Sequence, residues 1–252
     1  MTTQEALFNY TLRLGDTSLI LAQRLSEWTG HGPFLEEDLA LTNIALDIFG
    51  RAKNLLEYAA KTEGKGRTED ELAFFRNDRE YFNALITEQP NGDYAKTVVR
   101  QAFIDCFDLS FYTQLSKSKD ETLAGISEKT IKEIAYHKRH SFSWVVRFGN
   151  GTEESLARLQ KGFEETWAYT GELFEMTNTD EVLLKENISV DLSSLKPLWE
   201  KEIFDLLEKS NIKIPEFTFM QKGSRKGLHT EHLSYILSEM QSIPRMHPNA
   251  KW

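Results

Sequence analysis

The sequence predicts an all-α fold: a large four-helix-bundle core, additional helices and an extended C-terminal tail. Three observations predict it. Apolar residues recur at helical spacing along most of the chain, as at Leu7, Tyr10, Leu14, Leu21 and Leu25. The stretches between punctuating Gly and Pro residues reach about 25 residues, a span of roughly 37 Å at about 1.5 Å per residue. The connections are short, so sequence neighbours are expected to pack antiparallel.

Each element has its own signals. The first helix covers about 4–28 and stops at Gly30, Gly32 and Pro33. Pro33 suits the first turn of the second helix, about 34–62, where Glu36, Glu37 and Asp38 sit at the positive end of the dipole. Glu63-Gly64-Lys65-Gly66 ends it. Thr68 and Glu71 form a capping box for a third helix reaching about Glu88, before Gln89-Pro90-Asn91-Gly92. Asp93 caps a fourth helix through about Leu115. After a polar connector at 117–120, a fifth helix is expected over 121–148, with a break near Gly125 and a new cap at Ser127. Gly149-Asn150-Gly151 is a turn, and Thr152 caps a sixth helix to about Met176. From about 177 to 225 the pattern weakens. ENISVDL (186–192) reads as extended, LKPLWEKEIFDLLEKS (195–210) as a helix with Pro197 in its first turn, and NIKIPEFTFMQ (211–221) as a short strand or extended arm. A last helix covers 227–243, and Pro244, Pro248 and Trp252 mark the tail. With no low-complexity segment or composition break, residues 1–252 read as a single domain.

Composition narrows the function. The 252 residues are 40% hydrophobic and 27% charged, with a net charge of −9 and interspersed signs. A nucleic-acid footprint would be a clustered basic face. The short run KGSRK (222–226) reads as a solvated loop. No apolar run approaches the roughly 18–20 residues of a membrane span, and MTTQEALFNY lacks the basic-then-apolar pattern of a signal peptide. Cys106, the only cysteine, excludes an internal disulfide and sits among apolar residues, as a buried structural thiol does. A cytoplasmic protein is expected.

The stretch that looks most like chemistry is EIAYHKRH (133–140). A ferritin-like di-iron bundle takes one Glu from each of two helices and a Glu-x-x-His pair from each of the other two. Such a centre needs hard carboxylates plus imidazole, with positions left open for O₂. Here Glu133 is followed three residues on by Tyr136, and the histidine arrives one place late, at His137. On the second helix Asp47 is followed three residues on by Gly50. Asp16, Asp105 and Asp108 offer no inward glutamate on the first and fourth helices. The full ligand set is absent, so no metal is expected in this chain. His137 and His140 sit beside Lys138 and Arg139 and read as solvated or interfacial; His229 and His232 read as a polar face of the last helix.

Around Asp47, residues Leu39, Leu41, Ile44, Leu46, Ile48 and Phe49 cover most of the helix circumference, the pattern of a buried helix. Asn43, Asp47 and Arg51 then form a polar stripe along it. Arg51 or Lys53 would supply positive charge where a related protein holds iron; alternatively the stripe faces solvent or a partner. The grouped aromatics Phe74, Phe75, Tyr81 and Phe82 read as core, with an interface as the alternative.

These residues carry a resemblance. NIALDIFGRAKNLLEYAA (43–60), ELAFFRNDREYFNALITEQPNGD (71–93), IKEIAYHKRHSFSWVVRFGNGTEES (131–155), WAYTGELF (167–174) and HTEHLSYILSEMQ (229–241), with the closing Trp252, resemble the C subunits of bacterial phenylacetyl-CoA 1,2-epoxidase, a phenylacetate-CoA oxygenase. They span most of the chain in order. The resemblance implies a ferritin-like fold and a place in a complex. In that family the di-iron centre belongs to the related catalytic A subunit. The C subunit is its metal-free paralogue and structural scaffold. The A–C assembly, with other subunits, epoxidises the aromatic ring of phenylacetyl-CoA using O₂ and electrons from a separate reductase. No catalytic, cofactor-binding or metal-binding residue is carried over. Asn43, Asp47, Arg51, Glu133 and His137 stand as candidates for a vestigial site or buried polar cluster. Two other readings remain: an independent di-iron oxidase or oxygenase with a distorted site built from Glu133, His137 and Asp47, and a helical interaction protein unrelated to oxygenases.

Overall fold

The structure, a computed structural model, describes residues 1–214, 219–248 and 250. It is 74% helical and of the ferritin-like all-α class, with no strand among the described residues. The helices are α1 (Thr3–Ser26), α2 (Leu35–Glu63), α3 (Glu69–Phe74), α4 (Leu85–Glu88), α5 (Tyr94–Leu115), α6 (Glu121–Gly149), α7 (Glu153–Trp167), α8 (Asn178–Lys185), α9 (Leu192–Lys209) and α10 (Glu231–Met246). Among the described residues no helix is long and apolar enough to cross a membrane. The chain forms two compact units, Met1–Pro90 with Lys222–Trp252, and Asn91–Gln221.

In the first unit α1 and α2 run antiparallel. The Gln4 amide donates to the Thr62 carbonyl at 3.0 Å, and Arg51 Nε donates to Ser18 Oγ at 3.0 Å. Thr2 and Glu5 close a capping box on α1, and Asp38 accepts from the Gly32 amide at 2.9 Å, closing the turn before α2. Leu12, Ile20, Ala52, Leu56, Leu72 and Tyr81 share a core with Leu233, Ile236 and Leu237 of α10. Tyr81 is fully buried and Phe74 and Phe82 pack against this core, whereas Phe75 is exposed.

The expected third helix is not continuous. The Thr68–Glu71 capping box opens α3 as expected, but α3 ends at Phe74, and a 3-10 turn at Asp78–Glu80 precedes α4. Tertiary hydrogen bonds outcompete the helical pattern. Arg76 donates to the carbonyls of Leu72 (2.5 Å) and Glu80 (2.6 Å), and the Phe82 amide donates to Asp16 at 3.0 Å. The last helix likewise starts later than expected. Gly227, at φ 66°, takes a left-handed turn, Thr230 stands at the N-cap, and α10 continues through Pro244 to Met246. Pro248 lies in a turn beyond it, and Trp252 lies outside the described residues. KGSRK is more than a solvated loop: it holds a short 3-10 turn with Ser224 fully buried.

In the second unit α5 and α6 are antiparallel, with the Tyr94 ring edge-on to Trp144 and Phe148. α6 is unbroken: instead of recapping a helix, Ser127 Oγ donates back to the Leu123 carbonyl at 2.6 Å. α7 is shorter than expected, ending at Trp167, where Thr166 and Thr170 hydroxyls donate to the carbonyls of Gly162 and Trp167. Its aromatic end joins a ring cluster centred on Phe103, which contacts Phe163, Trp167 and Trp199 at centroid distances of 5.2, 5.7 and 5.6 Å. ENISVDL is no strand: it follows α8, turns at Asn187 (φ 58°) and supplies Asp191, which caps α9. That earlier start puts Pro197 past the first turn of α9. The short strand or extended arm expected over 211–221 falls partly outside the described residues; Gln221 donates its amide to the Ala168 carbonyl at 2.7 Å.

Candidate functional site

The candidate residues divide by burial and by unit. In the first unit Asn43 is exposed, Asp47 half-buried and Arg51 buried. α2 is not buried all round, because Leu39 and Leu46 expose 54% and 61% of their surface. Lys53 is also exposed, so of the two cations considered only Arg51 reaches an interior position, where it meets Ser18. In the second unit Glu133 is half-buried. His137 is buried rather than solvated, because it shares the inward face of α6 with Ile134, Ser141 and Val145. His140 is half-buried.

The buried acids of each unit are engaged by their own neighbours. Arg76 forks onto both oxygens of Asp16, and Asp16 also accepts from the Phe82 amide. Burial works against the Arg76 charge, but the Asp16 carboxylate more than restores it, so the guanidinium is held above its usual value. Glu88, fully buried, accepts from Asn83 Nδ2 (2.9 Å), the Thr230 amide (2.7 Å) and the Thr230 hydroxyl (2.8 Å). It also meets His229 Nδ1 at 2.9 Å. His229 Nε2 faces the Tyr81 carbonyl at 2.8 Å. Each ring nitrogen of His229 thus has a polar partner. His229 is therefore the clasp at the head of α10 and not part of that helix's polar face. In the second unit Asp105 accepts from Gln101 Nε2 (2.7 Å) and Ser141 Oγ (2.8 Å).

Among the described residues no group of three or more His, Cys, Asp or Glu is placed to hold a metal ion. Asp16, Glu88 and Asp105 are instead turned onto an arginine, a histidine, amides and hydroxyls. Sequence reasoning missed the Asp16–Arg76 and Glu88–His229 pairs. One clue was present, since Asp16 shares a helical face with Leu12, Leu19 and Ile20, and a buried charge needs a partner.

Cys106 is buried, and burial pushes its thiol up to about 12. Burial also drives the Tyr81 phenol above its ordinary range, while its hydroxyl donates to the Ala73 carbonyl. Both groups stay protonated in the fold at pH values where the unfolded chain ionises. The Cys106 contribution to stability is complete below the ordinary thiol value of 9.0 and is lost as pH rises towards about 12, while that of Tyr81 is complete below the ordinary phenol value of 10.0 and is lost at still higher pH. Native protein is expected to resist iodoacetamide at about pH 8, and urea-unfolded protein to react readily. Equal labelling rates would show that the thiol is accessible.

Fold and interior together define a ferritin-like helical protein whose inward acids hold its own chain together. The chain matches the phenylacetic acid catabolic protein family over residues 1–252, and it belongs to that family. It is similar to the C subunit of 1,2-phenylacetyl-CoA epoxidase from Escherichia coli (strain K12), at 47% identity over 243 residues, covering 96% of this chain and 98% of that relative.

Proposed function

We propose that this chain is a non-catalytic structural subunit of a multicomponent phenylacetyl-CoA 1,2-epoxidase. It binds and stabilises the related di-iron catalytic subunit in aerobic phenylacetate degradation. The observation that carries this reading is the engagement of the interior acids: Asp16 with Arg76, Glu88 with His229 and Thr230, and Asp105 with Gln101 and Ser141. The similarity to one component of that epoxidase supports the same setting. On this reading residues 1–252 act as one ferritin-like domain in the cytoplasm. Asp47, Arg51, Glu133 and His137 are candidates for a vestigial site or a buried polar cluster, which Asn43, being exposed, is not, and electrons reach the partner's iron from a separate reductase.

A partner of this kind works by burying the catalytic subunit's helices and keeping water from a reactive site. Interfaces of such permanent complexes are large and apolar. The test is co-expression with the catalytic subunit, followed by iron and turnover measurements with and without this chain. Iron is expected to follow the catalytic subunit, and omission of this chain is expected to lower that subunit's yield and its turnover. A pair of irons bound to the isolated chain, with oxygen-dependent turnover, would make it an oxidase in its own right.

A further inference from the structure

We propose that Asn91 is a site of spontaneous covalent modification. In the folded protein its side-chain nitrogen leaves as ammonia through an imide formed with Gly92, and aspartate or isoaspartate remains. The inference concerns the second unit alone and holds whatever the chain assembles with.

Asparagine followed by glycine is the pair most prone to this reaction, because a residue without Cβ leaves the next main-chain nitrogen unshielded. The sequence has two such pairs, Asn91-Gly92 and Asn150-Gly151. The glycine nitrogen bonds to the asparagine Cγ, the Cγ–Nδ2 bond breaks, and ammonia departs with the proton that the main-chain nitrogen gives up. Water from the solvent then opens the five-membered imide. Opening at Cγ gives aspartate. Opening at the main-chain carbonyl gives isoaspartate, in which the chain runs through the side chain. The sum is asparagine and water giving a carboxyl group and ammonia.

The fold treats the two pairs differently. At Asn91 both oxygens of the future imide already meet donors from α5. Arg100 Nη2 donates to Oδ1 at 2.7 Å, and Thr97 Oγ1 donates to the main-chain carbonyl at 3.0 Å. Arg100 is 1% exposed and Thr97 is fully buried, so little water weakens these bonds. Negative charge builds on Oδ1 as the Gly92 nitrogen attacks Cγ, and a fixed guanidinium at 2.7 Å is placed to stabilise it. Gly92 is exposed, and among the described residues its N–H has no acceptor.

Asn150 has the same neighbour and opposite surroundings. Its Nδ2 donates to the carbonyls of Val146 and Lys209, each at 2.9 Å. The Gly151 N–H is committed to the Phe148 carbonyl at 3.3 Å. Closing an imide here would break all three bonds. The Asn150 Oδ1 accepts from the neutral amide of Asn211 at 3.0 Å, a weaker source of stabilisation than a guanidinium.

The products differ in consequence. Aspartate sets a carboxylate against Arg100, a charge-assisted bond in place of a neutral acceptor. Isoaspartate adds one carbon to the main chain two residues before Asp93, the cap of α5, and so loosens the start of that helix.

The test incubates the full native chain at neutral pH in heavy-oxygen water and maps its peptides by mass spectrometry, beside a sample unfolded in guanidinium chloride. An isoaspartyl methyltransferase with labelled S-adenosylmethionine counts the isoaspartate. In the native protein Asn91 should convert at least about tenfold faster than Asn150, a part of the roughly 100-fold that one oxyanion donor supplies. Unfolded, the two should convert at similar rates, because neither set of hydrogen bonds survives. An Arg100→Met variant that keeps the wild-type circular dichroism should slow Asn91 and leave Asn150 unchanged. Native Asn91 that converts no faster than native Asn150 would overturn the proposal, as would a folded Arg100→Met variant converting Asn91 at the wild-type rate.

Discussion

Replacing Asp16 by alanine is expected to destabilise the first unit by about 3–5 kcal/mol, the usual loss when one partner of a buried ion pair is removed. The Asp16 side chain is 0% exposed and that of Arg76 4% exposed. Without the carboxylate the guanidinium keeps its bonds to the Leu72 and Glu80 carbonyls but has no counter-charge. Its position over the Tyr81 ring, 4.1 Å from the centroid, cannot replace a full negative charge. The Arg76 carbonyl also receives Gln241 Nε2 at 3.0 Å and Arg245 Nη2 at 2.8 Å, so the damage should spread to α10. Urea unfolding monitored by circular dichroism reads the loss. The double variant Asp16→Leu/Arg76→Met should recover much of it, because apolar groups of similar size leave no charge stranded. An Asp16→Ala protein as stable as wild type would show that water reaches Arg76 and screens it.

Gly149→Ala should be the most damaging one-carbon change in the second unit, at or above the top of the roughly 1–3 kcal/mol range for overpacking. A Cβ there would stand 2.0 Å from the Ser210 carbonyl oxygen and 2.6 Å from its carbonyl carbon. Both obstacles are backbone, so the ends of α6 and α9 must separate. Separation would also strain the bonds from Asn150 Nδ2 to the Lys209 carbonyl (2.9 Å) and from Asn211 Nδ2 to Asn150 Oδ1 (3.0 Å). Gly125→Ala is the control. It lies on the same helix, exposed, with nothing within 4 Å of its Cβ, and should raise stability by up to about 1 kcal/mol. Thermal melts of the two variants that moved in the same direction would contradict this account.

The long helices were legible because their signals are local. Asp93 and Thr152 cap the helices that follow them, and Gly64 at φ 70° ends α2 where the sequence places a stop. What was illegible depended on distant partners. The break after Phe74 exists because Arg76 and Phe82 are bonded to Asp16, some sixty positions earlier in the chain. α8 has 8 residues, too few for periodicity to declare itself. In the candidate site, the lateness of His137 and the missing histidine after Asp47 were plain from spacing alone. The pairs that absorb Asp16 and Glu88 were not, because each joins segments that only the fold brings together. The outward leucines of α2 misled for a related reason: apolar residues all round a helix suggest burial, but Leu39 and Leu46 are exposed on this chain.

The order of the two units along the chain bears on biosynthesis. The first unit draws its core from residues on both sides of the second, since Leu233, Ile236 and Leu237 pack with Leu12, Leu56 and Leu72. During translation, α1 and α2 leave the ribosome with part of their apolar surface waiting for a helix not yet made. The second unit has all its residues in hand first and is free to fold while the earlier segment is still open. That window leaves apolar surface of the nascent first unit uncovered, and it closes when Leu233, Ile236 and Leu237 of α10 pack into the core.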